Sequence, residues 1–162
     1  MTGETQPAFT YVVDPDDLAP ELRAIRDYWD AKRGTRPMPR RKNVDPLELA
    51  AHLPYLSLVD ILDGGADFRF RLLGTGITGQ FGRDSTGKTM SEVYSTADPE
   101  VLNWIVDSFT MVVTSKRPVL MRGLLRVVDK DFVKFESFHL PLSEDGEAVN
   151  MFLGRTRFLE RA

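Results

Sequence analysis

Gly74 to Thr89 (GTGITGQFGRDSTGKT) satisfies two nucleotide-binding patterns at once. Gly74-x-Gly76-x-x-Gly79 has the spacing of a dinucleotide fingerprint, whose glycines let backbone N–H groups approach a pyrophosphate. Gly82-x-x-x-x-Gly87-Lys88-Thr89 has the spacing of a phosphate-cradling P-loop. Each chemistry needs a buried parallel strand before the glycines and a sustained helix after them. The run before Gly74, Phe68 to Leu73, alternates Phe and Arg, the pattern of a half-exposed antiparallel strand. Two further glycines follow Gly79 and disfavour a helix there. After Thr89 only about one helical turn, Met90 to Tyr94, fits before the polar Ser95-Thr96-Ala97-Asp98. The expected role of the stretch is a glycine turn that reverses the chain, with nucleotide binding by Gly82–Thr89 as the alternative.

Few other residues offer chemistry. The sequence has no cysteine, which excludes disulfides, thiolate catalysis, cysteine-held metals and flavin–cysteine photochemistry. It has two histidines. His52 stands at a helix end, where it is expected to cap carbonyls or meet water. His139 lies in a strand, on the face of Val133, Phe135 and Ser137. If that face is core, His139 is placed for contact with a ligand or a haem; otherwise it is a hydrogen-bonded or edge histidine. No Gly-x-Ser-x-Gly elbow and no helix-borne histidine pair is present. The acids of Asp14-Asp16-Asp17 and Asp129-Asp131 fall in a leader and a turn, as solvated charge. Catalysis is therefore not expected, and neither catalytic nor metal-ligating residues are assigned. Residues 32–42 (KRGTRPMPRRK) hold six basic residues and no acid. With a net charge of −3 overall and no interleaved aromatics, the strip reads as a solvated linker, with a docking strip for phosphate or an acidic partner as the alternative, rather than as a nucleic-acid site.

These residues must be held by regular elements. Leu18, Leu22, Ile25 and Trp29 form one helical stripe, with Pro20 near its start and Gly34 as its stop. The stripe is narrow and Trp29 is large, so it must pack on its own domain or on the same helix of a second copy. Asp45-Pro46 begins a short helix ended by Pro54. Tyr55–Leu62 and Phe68–Leu73 form a hairpin across Gly64-Gly65. Asp98 caps, and Pro99 starts, the longest helix, whose apolar face includes Ile105, Phe109 and Val112. Three strands follow, at Val119–Val128, Phe132–Leu142 and Val149–Leu159, joined by turns at Asp129–Asp131 and Ser143–Glu147. The order predicts an α+β fold, a five-stranded antiparallel sheet with helices on one face and an N-terminal amphipathic helix. Residues 1–13 read as a loose leader. The expected division is 1–44 for leader, helix and basic linker, and 45–162 for the sheet domain. No apolar run approaches the ~20 residues that cross a bilayer, and the N-terminus lacks a basic region followed by an apolar stretch. A cytoplasmic location without membrane insertion is expected.

Pattern alone also nominates ligand-facing positions: Phe68, Phe70 and Leu72 on one strand, Met121, Gly123 and Leu125 on another, and Trp104, Phe109 and Met111 on the long helix. Gly123 either leaves room for a ligand or marks a bulge. Arg155 and Arg157 alternate with the apolar residues of the last strand and are expected in solvent.

The chain resembles the PAS domains, in particular the alphaproteobacterial single-PAS family. The matching residues are Tyr28-Trp29, Pro39-Arg40-Arg41, Asp45-Pro46 and Leu53-Pro54-Tyr55-Leu56, followed by Phe70-Arg71-Leu72-Leu73-Gly74-Thr75, Gly82-Arg83-Asp84 with Thr86-Gly87, and Leu140-Pro141-Leu142. The resemblance spans roughly residues 18–160. It implies a sensory or protein-interaction module that holds a small molecule, haem or flavin between sheet and helices, or holds nothing and signals through dimer contacts. It further implies a homodimer built on Leu18, Leu22, Ile25 and Trp29, acting on an unidentified signalling protein. The cofactor is unknown. The candidate pocket is Phe70, Trp104, Phe109, Met121, Gly123 and His139.

Overall fold

The computed structural model describes residues 9–125 and 133–159. The turn expected at Asp129–Asp131 lies outside them. A six-stranded antiparallel sheet forms the centre, in the order β1-β4-β5-β6-β2-β3. The strands are β1 (Thr10–Val13), β2 (Leu56–Leu62), β3 (Asp67–Leu73), β4 (Val119–Leu125), β5 (Val133–Leu142) and β6 (Met151–Phe158). The sixth strand is β1, from a segment expected to be loose. It pairs with β4 and contributes Tyr11, Val12 and Val13 as a half-exposed edge.

The helices are α1 (Pro20–Arg33), α2 (Thr75–Phe81), α3 (Met90–Val93) and α4 (Pro99–Ser115). In α1, Pro20 sits where its missing N–H costs nothing, and Gly34 ends the helix at a φ of 59°. In α4, Asp98 accepts a bond from the Glu100 N–H, and Lys116 closes the helix in a left-handed conformation. The Asp45-Pro46 segment starts as expected, with the Asp45 carboxylate capping Leu47 N–H. It forms two 3₁₀ turns that meet at Leu49 and run through Pro54 to Tyr55, rather than an α-helix stopped by Pro54. The tighter i→i+3 pattern accommodates the proline.

Alternation along the strands divides the core in two. Leu56, Leu58, Leu120, Phe138, Leu140, Leu142 and Leu153 face α1, burying Leu22, Ile25 and Trp29 completely. Val59, Phe70, Val119, Met121, Phe135 and Phe152 face α4 and the rest of the helical crossover, α2 to α4, that links β3 to β4. With both faces covered, β5 is buried at nearly every position. The α1 cluster also takes in Met38, Val44 and Leu49, so one core joins residues on both sides of position 44.

Trp29 anchors this arrangement. Its indole N–H donates to the Pro141 carbonyl at 2.8 Å, and the guanidinium groups of Arg26, Arg33 and Arg117 pack over its ring. The basic strip is not a free linker either. Arg36 and Arg40 donate to carbonyls of Ser143 and Glu144 in the β5–β6 turn, and the Glu144 carboxylate accepts from Arg41 N–H.

Candidate functional site

A cavity of about 410 Å³ lies between the sheet and the crossover, within the range of small-ligand pockets. Its walls include Phe70, Trp104, Phe109, Met121 and Phe135. Phe109 stands edge-on to Phe68, His139 and Phe152 at ring separations of 5.2, 5.0 and 4.9 Å, the geometry aromatic quadrupoles favour. Five of the six candidate-pocket residues, Phe70, Trp104, Phe109, Met121 and His139, line this space. Gly123 does not. The Trp104 ring lies so close over it that a side-chain carbon there would overlap the indole. The β4–β5 register runs through it unbroken, so Gly123 neither makes room for a ligand nor marks a bulge.

The alternation read for Phe68, Phe70 and Leu72 fails at Leu72. Leu58 pairs with Leu72 but Val59 pairs with Phe70, so Arg71 is an extra residue in β3. This bulge turns Leu72 toward the α1 core and brings Leu73 into the cavity. Met111 packs beside the second core without lining the cavity.

Opposite the aromatic walls, the central strands form a polar floor. Ser57, Ser137, His139 and Thr156 all line the cavity. The Ser137 and Thr156 hydroxyls lie 2.6 Å apart, and Ser137 Oγ is 3.3 Å from His139 Nε2. Gly154 pairs with Ser57 on one side and His139 on the other. A Cβ at 154 would collide with the Ser57 hydroxyl and approach His139 Cδ2 to 2.9 Å, so glycine is what lets the two converge.

Burial pushes the His139 pKa down to about 3, and Nδ1 has no partner among the described residues. The ring is therefore neutral at physiological pH. The tautomer with the proton on Nε2 can donate to Ser137 and leaves only a lone pair unmatched at Nδ1. Lowered folded-state affinity for a proton means stability is lost as pH falls below the unfolded value near 6.5. Between pH 7 and 5 the wild type is expected to lose about 2 kcal/mol more than His139→Gln. Paired urea titrations at the two pH values measure this, and parallel losses would show that His139 titrates normally. His52 is common to both proteins and cancels.

The haem expectation for His139 does not fit. Nδ1 is fully buried, Nε2 faces Ser137, and the ring is held between Phe109 and Phe152, which leaves an iron no approach. A phosphorylated flavin fits no better. The one cation among the described lining residues is Arg83, which already donates to the Val93 carbonyl and stacks on Tyr94 at 5.5 Å.

His52 neither caps carbonyls nor simply meets water. Its Nδ1 accepts from Arg155 Nε at 3.1 Å, and burial followed by the Arg155 charge holds its pKa down. Arg155, expected in solvent, is buried on the α1 side, stacked over Tyr55 and away from the cavity. Arg157 bonds Glu136 on the same face and lies 3.4 Å from Glu21 of α1.

The glycine stretch is divided among different tasks. Gly74 caps α2 directly after β3, and the helix stops at Gly82, the first of the two further glycines that disfavour its continuation. Gly74 and Gly76 let that helix press on the Leu53–Tyr55 backbone and the Tyr55 ring, and Gly82 ends it with a left-handed cap. The P-loop match does not form a cradle. It follows a helix instead of a strand, and its N–H groups are already engaged: Thr86 with Asp84, Gly87 with the Phe70 carbonyl, Lys88 with the Ser85 carbonyl. Thr89 caps the four-residue α3.

Of the proposed dimer stripe, Leu22, Ile25 and Trp29 are spent on the chain's own sheet, and Leu18 is partly buried beside them. Among the described residues no helix is long and apolar enough to cross a membrane, and no acid–histidine group could hold a metal. The floor residues Ser57, Gly154 and Thr156 were not nominated from sequence. The mid-strand glycine at 154 was the available signal.

An antiparallel sheet with a cavity beneath a helical crossover defines an α+β module. The family model described as PAS domain matches residues 18–156, and the chain belongs to the PAS domain family. Solved structures share the fold at low identity. The chain is similar to an RNA-binding Light-Oxygen-Voltage receptor (14% identity, TM-score 0.56), with 93% of this chain covering 38% of that one. The Rhodobacter sphaeroides LOV protein matches at 16% identity and a TM-score of 0.54, over 74% of this chain and 70% of its own. The PAS domain of Bordetella pertussis BvgS matches at 17% and 0.53, over 73% and 89%. The chain thus spans well under half the length of the first of these. No curated protein sequence matches it.

Proposed function

We propose that this protein is a sensory PAS module that binds a small molecule between sheet and crossover and reports its state to a protein partner, as a homodimer. The observation that supports this reading is the cavity of about 410 Å³, aromatic on its walls and hydroxylated on its floor. A small molecule of matching size gains close-packed dispersion contacts with such walls. A ligand acts as a signal only by binding one conformation better than another. Because the α1 stripe is engaged internally, contact with a second copy or a partner must use other surface, and the half-exposed Tyr11–Val13 edge of β1 offers unpaired backbone groups.

Native purification, followed by denaturation and mass spectrometry of whatever is released, tests the reading. Release of a small molecule in near-stoichiometric amount is the expected result. A protein that releases nothing and shows no thermal shift with any member of a fragment set contradicts the ligand arm. Light scattering at micromolar concentration tests the homodimer, and a monomer mass removes it.

A further inference from the structure

The chemistry of the cavity selects among ligand classes. Its floor lies on β2, β5 and β6 and carries only neutral hydrogen-bonding groups: three hydroxyls and one imidazole. The hydroxyls of Ser137 and Thr156 already pair with each other. That of Ser57 has no partner among the described residues, although Ser57 is only 5% exposed. It lies against Gly154, whose missing side chain makes the room that this hydroxyl occupies. The charged lining residues, Arg83 and Asp98, are both solvent-exposed, away from the floor.

A carboxylate or phosphate driven to the floor would lose its hydration and meet no cation there. An ammonium would meet no carboxylate. Isolated charges in such surroundings carry a large desolvation cost. A wholly apolar molecule would leave Ser57 Oγ dry and unmatched, which is unfavourable for a buried hydroxyl. A neutral hydroxyl, carbonyl or amide avoids both losses, and the aromatic walls favour a planar apolar body behind it.

Resting on the reading of the cavity as a ligand site, we infer that its ligand is a neutral, largely apolar and planar molecule with a single hydrogen-bonding head, seated against Ser57 on the sheet floor. Ser57 serves as the specificity residue, and Thr156 and Ser137 shape the rest of the head-group site.

Three probes of one size test this: naphthalene, 2-naphthol and 2-naphthoate at pH 7.5. Quenching of Trp104 emission reports binding, with isothermal titration as an independent readout. 2-Naphthol is expected to bind at least tenfold tighter than 2-naphthoate and several-fold tighter than naphthalene. Ser57→Ala should erase the advantage over naphthalene, weakening 2-naphthol while naphthalene, which no longer strands a hydroxyl, binds at least as tightly as before. Thr156→Val serves as a second floor variant, expected to reduce the advantage only in part. 2-Naphthoate binding as tightly as 2-naphthol would overturn the neutral head. Equal binding of naphthalene and 2-naphthol, unmoved by Ser57→Ala, would overturn the role of Ser57 while leaving the cavity a binding site. If none of the three binds to the folded protein, the cavity reading fails and this inference with it.

Discussion

Trp29→Ala is expected to lower the stability of the fold by about 3–5 kcal/mol, the usual cost of deleting a fully buried large aromatic side chain. Trp29 has no exposed surface, packs with Leu22 and Ile25 against the sheet, and donates its indole N–H to the Pro141 carbonyl. The substitution opens a cavity, orphans a buried carbonyl and removes the surface on which three guanidinium groups rest. Chemical denaturation should therefore show a much lower midpoint with a similar slope. A change under 1 kcal/mol would mean that α1 contributes little to the core. The same variant separates two roles for the helix: a pure dimer contact would alter mass and spare stability.

Gly74→Ala is expected to cost about 1–3 kcal/mol or more, as overpacking against an immovable neighbour does. The added carbon would collide with the Leu53 and Pro54 carbonyls, which are backbone and cannot rotate away. Gly79→Ala is the internal control. Position 79 is helical with open space around it, so alanine there should stabilise by about 0.5–1 kcal/mol through helix propensity alone. Thermal melts of the two variants should thus move in opposite directions. If the glycines served a bound pyrophosphate, both would be neutral in the free protein and both would alter nucleotide binding.

Those glycines show why sequence spacing misleads. Gly-x-Gly-x-x-Gly encodes close approach of a helix start to something, and here that something is the chain's own 3₁₀ segment. Periodicity was legible wherever an element used it regularly: the Leu22–Ile25–Trp29 stripe, the Asp98-Pro99 start of α4 and the cavity face of β5 holding Phe135, Ser137 and His139. It failed where one residue changes phase. The extra Arg71 in β3 moves Leu72 out of the cavity, and nothing local in Phe70-Arg71-Leu72-Leu73 announces a bulge. Nor could composition reveal that Arg155, next to buried Leu153 and Gly154, points into the α1 side to meet His52 and Tyr55. β1 was missed because four half-exposed residues carry little hydrophobic signal without the β4 edge that receives them. The rest of the hydroxyl floor, Ser57 and Thr156, was missed for a related reason. Ser57, Ser137 and Thr156 converge from three strands, and only their shared registers with Gly154 and its neighbours bring them together.

Trp104 belongs to two places at once. Its ring forms cavity wall over Gly123, while its indole N–H reaches the Thr10 carbonyl at 3.4 Å and its face meets Phe9 at 4.8 Å. The edge strand is thus tied to the side chain that a ligand would press against. Thermodynamic reciprocity then makes the two events one coupled equilibrium: whatever occupancy does to the hold on β1, seizure of β1 by another chain does, with equal free energy, to the affinity of the cavity.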